Sequence, residues 1–132
     1  MWRSNGVLPE ADTPKAVALR DDFVRGLHEL IAPDVFPVEV AHALTKAERR
    51  GFIPLADSTG KLNEVMGAAP LLYSYMPLLS RALELSSQAR IGVYDCLYVA
   101  LAEREGCELI SADSRLVNAL PGFPIVDLGT WP

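Results

Sequence analysis

The stretch Ile91-Gly-Val-Tyr-Asp-Cys-Leu-Tyr-Val-Ala-Leu-Ala102 carries a single charged residue, Asp95. A carboxylate inside an otherwise apolar helix is costly unless another group compensates its charge. The segment Ser111-Ala-Asp113 follows soon afterwards and supplies a second acid. Because a metal ion shared by two nearby acids would provide this compensation, the stretch raises the question of an acidic metal site beside an apolar helix.

Length and composition describe one domain. The chain has 132 residues, half of them apolar, so we expect a single domain over residues 1–132 with its own core. It contains no uncharged apolar run of about 18 residues, and its start does not resemble a signal peptide. Cys96 and Cys107 lie in or beside apolar sequence, which favours reduced, buried thiols and a cytoplasmic location. The net charge of −5 argues against a broad polyanion binder but permits a local basic strip.

Helix and strand signals alternate along the chain. The predicted helices cover 13–26, 36–51, 61–68, 77–89, 94–105 and 113–120. The predicted strands cover 27–32, 108–112 and 125–128, and 70–76 is either a strand or the approach to the next helix. Asp34 is expected to cap the second helix, and Gly51 and Gly106 to end the second and fifth. The alternation predicts an α/β fold with a mainly parallel sheet, in which ligands bind beyond the carboxyl ends of the strands.

Three carboxylates are candidates for a site at those ends. Asp113 follows a predicted strand and opens a helix, so it is either an N-cap or a ligand. Asp95 lies near the start of the apolar helix, where it is either a first-turn charge or a ligand. At 100° per residue, Glu39 lies at the edge of the apolar face of its helix, in line with Lys46 and Arg50.

Carboxylates with few other ligands suit a hard divalent ion. Magnesium takes one or two carboxylates, keeps several waters and completes its shell with phosphate oxygens, so the set fits Mg²⁺ or Mn²⁺ rather than zinc. Such an ion lowers the pKa of bound water and neutralises charge on a scissile phosphate. Ser111 is placed to hydrogen-bond an acid or a metal-bound water. Lys46, Arg49 and Arg50 could hold neighbouring phosphates, although by themselves they are better explained as a solvated helix face near a favourable dipole.

Three segments resemble the PIN-domain family. They are Pro37-Val-Glu-Val-Ala-His-Ala-Leu44, Val93-Tyr-Asp-Cys-Leu-Tyr-Val-Ala-Leu-Ala102 and Leu109-Ile-Ser-Ala-Asp113. Their order and spacing are most similar to the VapC toxins of bacterial toxin–antitoxin pairs, and the resemblance extends from about Leu8 to the end of the chain. It implies a three-layer α/β/α fold with a parallel sheet.

The resemblance also implies a function and a set of site residues. It implies Mg²⁺- or Mn²⁺-dependent endoribonuclease activity, a homodimer, and inhibition by a small VapB-like antitoxin. Glu39, Asp95 and Asp113 match three of the family's acids. Ser111 takes the place of the serine or threonine that supports the last of them.

One departure from the family pattern concerns its first strand, which ends in an aspartate. By spacing, that aspartate would lie at or just before Met1, and no acid precedes Glu10. Either the start codon has been placed too late, or the protein is a degraded relative that keeps the fold. In both cases we expect the first strand to be absent, which would expose apolar surface and favour association with another chain.

Three hypotheses remain open. The first is a metal-dependent ribonuclease of the VapC type that acts on RNA. The second is a catalytically impaired PIN-fold protein that acts through protein–protein binding, as the missing acid would imply. The third is an unrelated α/β domain with a phosphoacceptor aspartate, which is weak because no early strand ends in an aspartate.

Overall fold

Strands and helices alternate in the computed structural model, which describes residues 30–111 and 113–127. The strands of this part of the chain are β1 (Ile31–Pro33), β2 (Leu71–Tyr73), β3 (Leu109–Ser111) and β4 (Ile125–Asp127). Its α-helices are α1 (Phe36–Arg49), α2 (Ser58–Gly67), α3 (Leu79–Ala89), α4 (Val93–Glu105) and α5 (Ser114–Ala119). The predicted helix 13–26 and the expectation about a first strand fall outside the described residues.

The strands pair in parallel. β1 pairs with β2, with Ile31 opposite Leu71, and β3 pairs with β4, with Leu109 opposite Ile125. Within the described ranges these are two separate two-stranded sheets. β1 and β3 are buried along their whole length. Parallel strands joined through helices confirm the predicted α/β class.

Helix α4 forms the centre of the core. Seven consecutive residues, Cys96 to Ala102, are buried, and the helix packs against α3, β1 and β3. A helix that is buried on all sides needs apolar residues around its whole circumference, which explains the uninterrupted run. Gly106 ends the helix at φ +67°, a left-handed conformation that glycine adopts without steric cost, as its position predicted.

The start of α1 differs from the prediction in one respect. Pro37 lies in the first turn and Phe36, Val40 and Leu44 are buried, as expected for one apolar face. The N-cap is Val35, however, so the expectation that Asp34 caps this helix was wrong. The Asp34 backbone N–H donates to the Tyr73 carbonyl at the end of β2, and this contact holds Asp34 beside the neighbouring strand. Its carboxylate accepts a hydrogen bond from the backbone N–H of Tyr75 at 3.0 Å.

The central segment also shows shifted boundaries. Helix α2 begins at Ser58, three residues before the predicted start, and the Ser58 hydroxyl contacts the Glu48 carboxylate at the end of α1. Segment 70–76 was predicted to be either a strand or the approach to the next helix, and it contains parts of both. Strand β2 is followed by a 3₁₀ turn, Met76–Leu78, that leads into α3. None of the described helices is long and apolar enough to cross a membrane.

Candidate carboxylate site

Ser111 and Asp113 form a hydrogen-bonded unit at the carboxyl end of β3. Ser111 is only 3% exposed, and its Oγ accepts a hydrogen bond from the Asp113 backbone N–H at 3.0 Å. Asp113 is the N-cap of α5, and its Oδ1 accepts from the Arg115 backbone N–H at 3.0 Å. The structure therefore brings these two predicted site residues together, with the carboxylate held at a helix start.

Glu39 lies in the first turn of α1, directly after β1. Its side chain is half-buried, and the Oε1 atom is shielded from solvent. A negative charge in the first turn of a helix is stabilised by the helix dipole, typically by about 0.3–1 kcal/mol. The half-buried position at the edge of the Val40 and Leu44 face agrees with the helical periodicity of the sequence.

Asp95 lies in the first turn of α4 and is half-buried. The adjoining Cys96 is fully buried, and burial, together with the negative charge of Asp95, raises the pKa of its thiol to about 11. The thiol is therefore protonated at neutral pH, whereas nucleophilic and metal-ligating cysteines act as thiolates. In this turn Asp95, and not Cys96, is therefore the candidate metal ligand.

The three acids occupy comparable places in the fold. Helix α1 follows β1, so Glu39 lies near the carboxyl end of that strand, and Asp113 follows β3 in the same way. Only residues 106–108 connect α4 to β3, and the two elements pack against each other. From a connection this short we infer that the chain reverses, which puts the start of α4 toward the carboxyl end of β3. Helix α4, whose first turn carries Asp95, also packs against β1, so this helix contacts both strands. In α/β folds, ligands bind at this end of the strands.

The donor set is chemically suited to a divalent ion, but it is not assembled as a metal site. Carboxylate oxygens are the ligands that Mg²⁺ and Mn²⁺ prefer. Within residues 30–111 and 113–127, however, no three His, Cys, Asp or Glu side chains are grouped closely enough to hold a metal ion. The Asp113 carboxylate is instead engaged with α5. A metal bound by Glu39, Asp95 and Asp113 therefore stays a prediction.

Arg115 is a neighbour of the site that the sequence interpretation missed. Its Nε lies 3.4 Å from the Asp113 Oδ1, while 89% of its side chain is exposed. A pair this exposed contributes at most about 1 kcal/mol to stability. The signal was available, because Asp113-Ser-Arg115 places a cation two residues after a predicted N-cap, where the first turn of the helix brings the two side chains together.

The family model and two named relatives lead to the same family. The family model "PIN domain" matches residues 7–119. Ribonuclease VapC3 of Pyrobaculum aerophilum is 35% identical over 97 residues, which cover 72% of this chain and 74% of that protein. VapC ribonuclease Mb0985 of Mycobacterium bovis is 31% identical over 113 residues, which cover 83% and 87%.

A solved structure shares the fold. The crystal structure of PAE2754 from Pyrobaculum aerophilum aligns with 98% of this chain and 90% of its own, with a TM-score of 0.68. Sequence identity between the two is 22%, so this likeness bears on the fold alone.

Proposed function

This chain belongs to the PIN-domain family, in its VapC-type toxin branch, and from that premise we propose that it is a cytoplasmic endoribonuclease that uses Mg²⁺ or Mn²⁺ to hydrolyse RNA phosphodiester bonds. One observation carries the proposal: Glu39, Asp95 and Asp113 each stand at the start of a different helix, and the helices of Glu39 and Asp113 directly follow β1 and β3. Relatives named as ribonucleases support the reaction class. Both cysteines are free thiols, as suits a reducing compartment.

The chain's own residues have distinct proposed roles. Glu39, Asp95 and Asp113 are the proposed metal ligands and catalytic residues, and Ser111 is a positioning residue that fixes the backbone of Asp113 through its hydroxyl. The capping bond from the Arg115 backbone N–H sets the orientation of the Asp113 carboxylate. A divalent ion held by these acids would activate a water molecule and neutralise charge on the scissile phosphate.

Cleavage of single-stranded RNA tests the proposal. We expect Asp95→Asn to lose activity by a large factor in Mg²⁺ and in Mn²⁺, because asparagine keeps the shape of the side chain but removes the charge. Asp34→Asn is the matched control, since Asp34 also follows a strand of the sheet but its exposed carboxylate is bound to the Tyr75 backbone. Equal activity of the wild type and Asp95→Asn would remove the proposed site.

Metal binding is tested separately from cleavage. Calorimetric titration with Mn²⁺ should show a site that is lost in Asp113→Asn and retained in Asp34→Asn. A wild-type protein that binds no Mn²⁺ would reject the metal-dependent mechanism, whether or not the protein binds RNA.

The second candidate function is a PIN-fold protein that acts through binding alone. The absence of an assembled three-ligand group within residues 30–111 and 113–127 favours it. Under this alternative, RNA is not cleaved in either metal and Asp95→Asn behaves like the wild type in every binding assay. Cleavage that depends on Asp95 decides against it.

The proposed protein partners are a second copy of the chain and a small VapB-like antitoxin. Large exposed apolar side chains near β2 and along α3 support association, since such surface is usually covered by a partner. They are Leu71, Leu72, Met76, Leu79 and Leu83. Light scattering should report a dimer, and a monomer that persists at high concentration would reject the homodimer. Added antitoxin should then suppress cleavage.

A further inference from the structure

The cations that the structure describes fall into two groups. Arg81, Arg104 and Arg115 each form an ion pair with a carboxylate. Within the described ranges no carboxylate forms an ion pair with the remaining cations, which are Lys46, Arg49, Arg50, Lys61 and Arg90. Four of these five lie at the end of α1 or the start of α2. The chain carries an excess of acids, with 17 acidic against 12 basic residues, so this concentration of uncompensated cations is not a consequence of composition.

Two of these cations are in line with the candidate site. Lys46 lies seven residues after Glu39 and Arg50 eleven, so all three project within about 20° of one line along the helix. At 1.5 Å per residue, the axial separations from Glu39 are about 10 Å and 16 Å, and the two cations are about 6 Å apart. Glu39 is half-buried, whereas Lys46 and Arg50 are exposed. The line therefore runs from the carboxylate out to an open cationic surface.

The helix dipole accounts for only part of this arrangement. It favours cations in the last turn of α1, where Lys46 and Arg49 lie. It does not explain why the nearest acid on the same helix is engaged elsewhere, since the Glu48 carboxylate contacts the Ser58 hydroxyl of α2. Lys61 has acids close to it in sequence, Asp57 and Glu64, so Lys46 and Arg50 are the better candidates for binding an anion.

We propose that Lys46 and Arg50, the cationic strip, bind successive phosphates of single-stranded RNA and lead the strand along α1 to the Glu39 carboxylate at its start. The identity of the ligand rests on the proposed function, because Glu39 belongs to the proposed active site. Lysine and arginine contacts to phosphates set position and contribute affinity without reading bases. The strip therefore adds affinity for any single strand and leaves sequence preference to other residues.

Binding of a short fluorescein-labelled oligouridylate, measured by anisotropy in EDTA, tests the strip without cleavage. We compare the wild type with Lys46→Gln/Arg50→Gln, since glutamine is a good helix former at exposed positions. Loss of two phosphate contacts should weaken binding about tenfold near 0.15 M salt and lower the slope of log K against log salt by about 1.4. Ser80→Glu/Ser87→Glu is the matched control, because it changes net charge equally on α3, which packs mainly against α4.

The control pair should change the affinity by less than about twofold, because distant exposed charges are screened. An equal loss of RNA affinity in both double variants would overturn the proposal that the strip binds RNA. So would wild-type affinity in Lys46→Gln/Arg50→Gln. Polyglutamate binding that depends on the strip while RNA binding does not would assign the surface to an acidic protein instead. If the wild type never cleaves RNA but its binding depends on the strip, the proposed function fails and the strip stands. Cleavage together with strip-independent binding supports the proposed function and rejects the strip.

Discussion

The Ser111 hydroxyl offers the sharpest test of how the candidate site is held in place. The Ser111 Oγ accepts a hydrogen bond from the Asp113 backbone N–H at 3.0 Å, and Ser111 is only 3% exposed. Ser111→Ala removes this acceptor. An unsatisfied buried donor costs about 1–3 kcal/mol, and Asp113 itself is only half-buried, so the lower part of that range applies. We expect Ser111→Ala to lower the free energy of unfolding by about 1–2 kcal/mol.

Urea denaturation at neutral pH measures this loss, with Ser114→Ala as the control. Ser114 is exposed in the first turn of α5, so its substitution should change stability by less than about 0.5 kcal/mol. Asp113→Asn provides a second comparison. Asparagine is about as good an N-cap as aspartate, so this variant should keep most of the stability while it loses metal binding and cleavage.

Ser111→Ala and Asp113→Asn should each lose a different property. Ser111→Ala should lose stability and retain part of the cleavage activity, because the Asp113 carboxylate is still present. Asp113→Asn should lose cleavage and retain stability. If Ser111→Ala proves as stable as Ser114→Ala, the hydroxyl does not hold Asp113, and the positioning role assigned to Ser111 is refuted.

Three further predictions concern the core, an ion pair and the thiols. Leu101→Ala in α4 should cost about 2–5 kcal/mol because the side chain is fully buried. Leu55→Ala is the control, and because that side chain is 80% exposed it should cost less than about 0.5 kcal/mol in the same urea titration. The hydrogen bond from Arg81 lowers the pKa of Glu103 in the folded protein. The difference in stability between the wild type and Arg81→Gln should therefore be complete at pH 7, begin to shrink below the ordinary carboxyl value of 4.5, and disappear once the pH is below the lowered pKa of Glu103. A difference that grows on acidification would contradict the pair. Burial raises the pKa of Cys96 to about 11, so iodoacetamide should label half-buried Cys107 in the native protein and Cys96 only after unfolding, as peptide mass analysis would show.

Local sequence signals predicted the core helix and its surroundings well. The apolar run that contains Asp95 has no polar face, and only a helix covered on all sides satisfies such a pattern, as α4 is. Gly106 ends the helix because a left-handed residue was needed there. The three acids lie where the helix starts expected from the sequence would put them. Glu39 and Asp95 lie in first turns, and Asp113 lies at a cap.

Contacts between distant segments were beyond these local signals. Asp34 has the residue type and position of an N-cap, but its carboxylate accepts from Tyr75, which lies 41 residues away in the sequence. The early start of α2 accompanies a contact between Ser58 and Glu48 of the preceding helix. When a side chain can bond either to its own helix or to a distant segment, the tertiary structure decides between the two. The periodicity of the sequence carries no information about the distant partner.

The same limit explains why capping and metal binding remained alternatives for each acid. A helix start stabilises a carboxylate whether or not a metal is near, since the dipole and the backbone N–H groups favour negative charge. Asp113 shows the capping role directly, through its bond to the Arg115 backbone. That role does not compete with the proposed chemistry, because a carboxylate that is already oriented and kept at a helix start loses little freedom when a cation arrives. Stability alone therefore cannot separate the two interpretations, whereas Mn²⁺ titration of Asp113→Asn can, since asparagine preserves the cap and removes the charge.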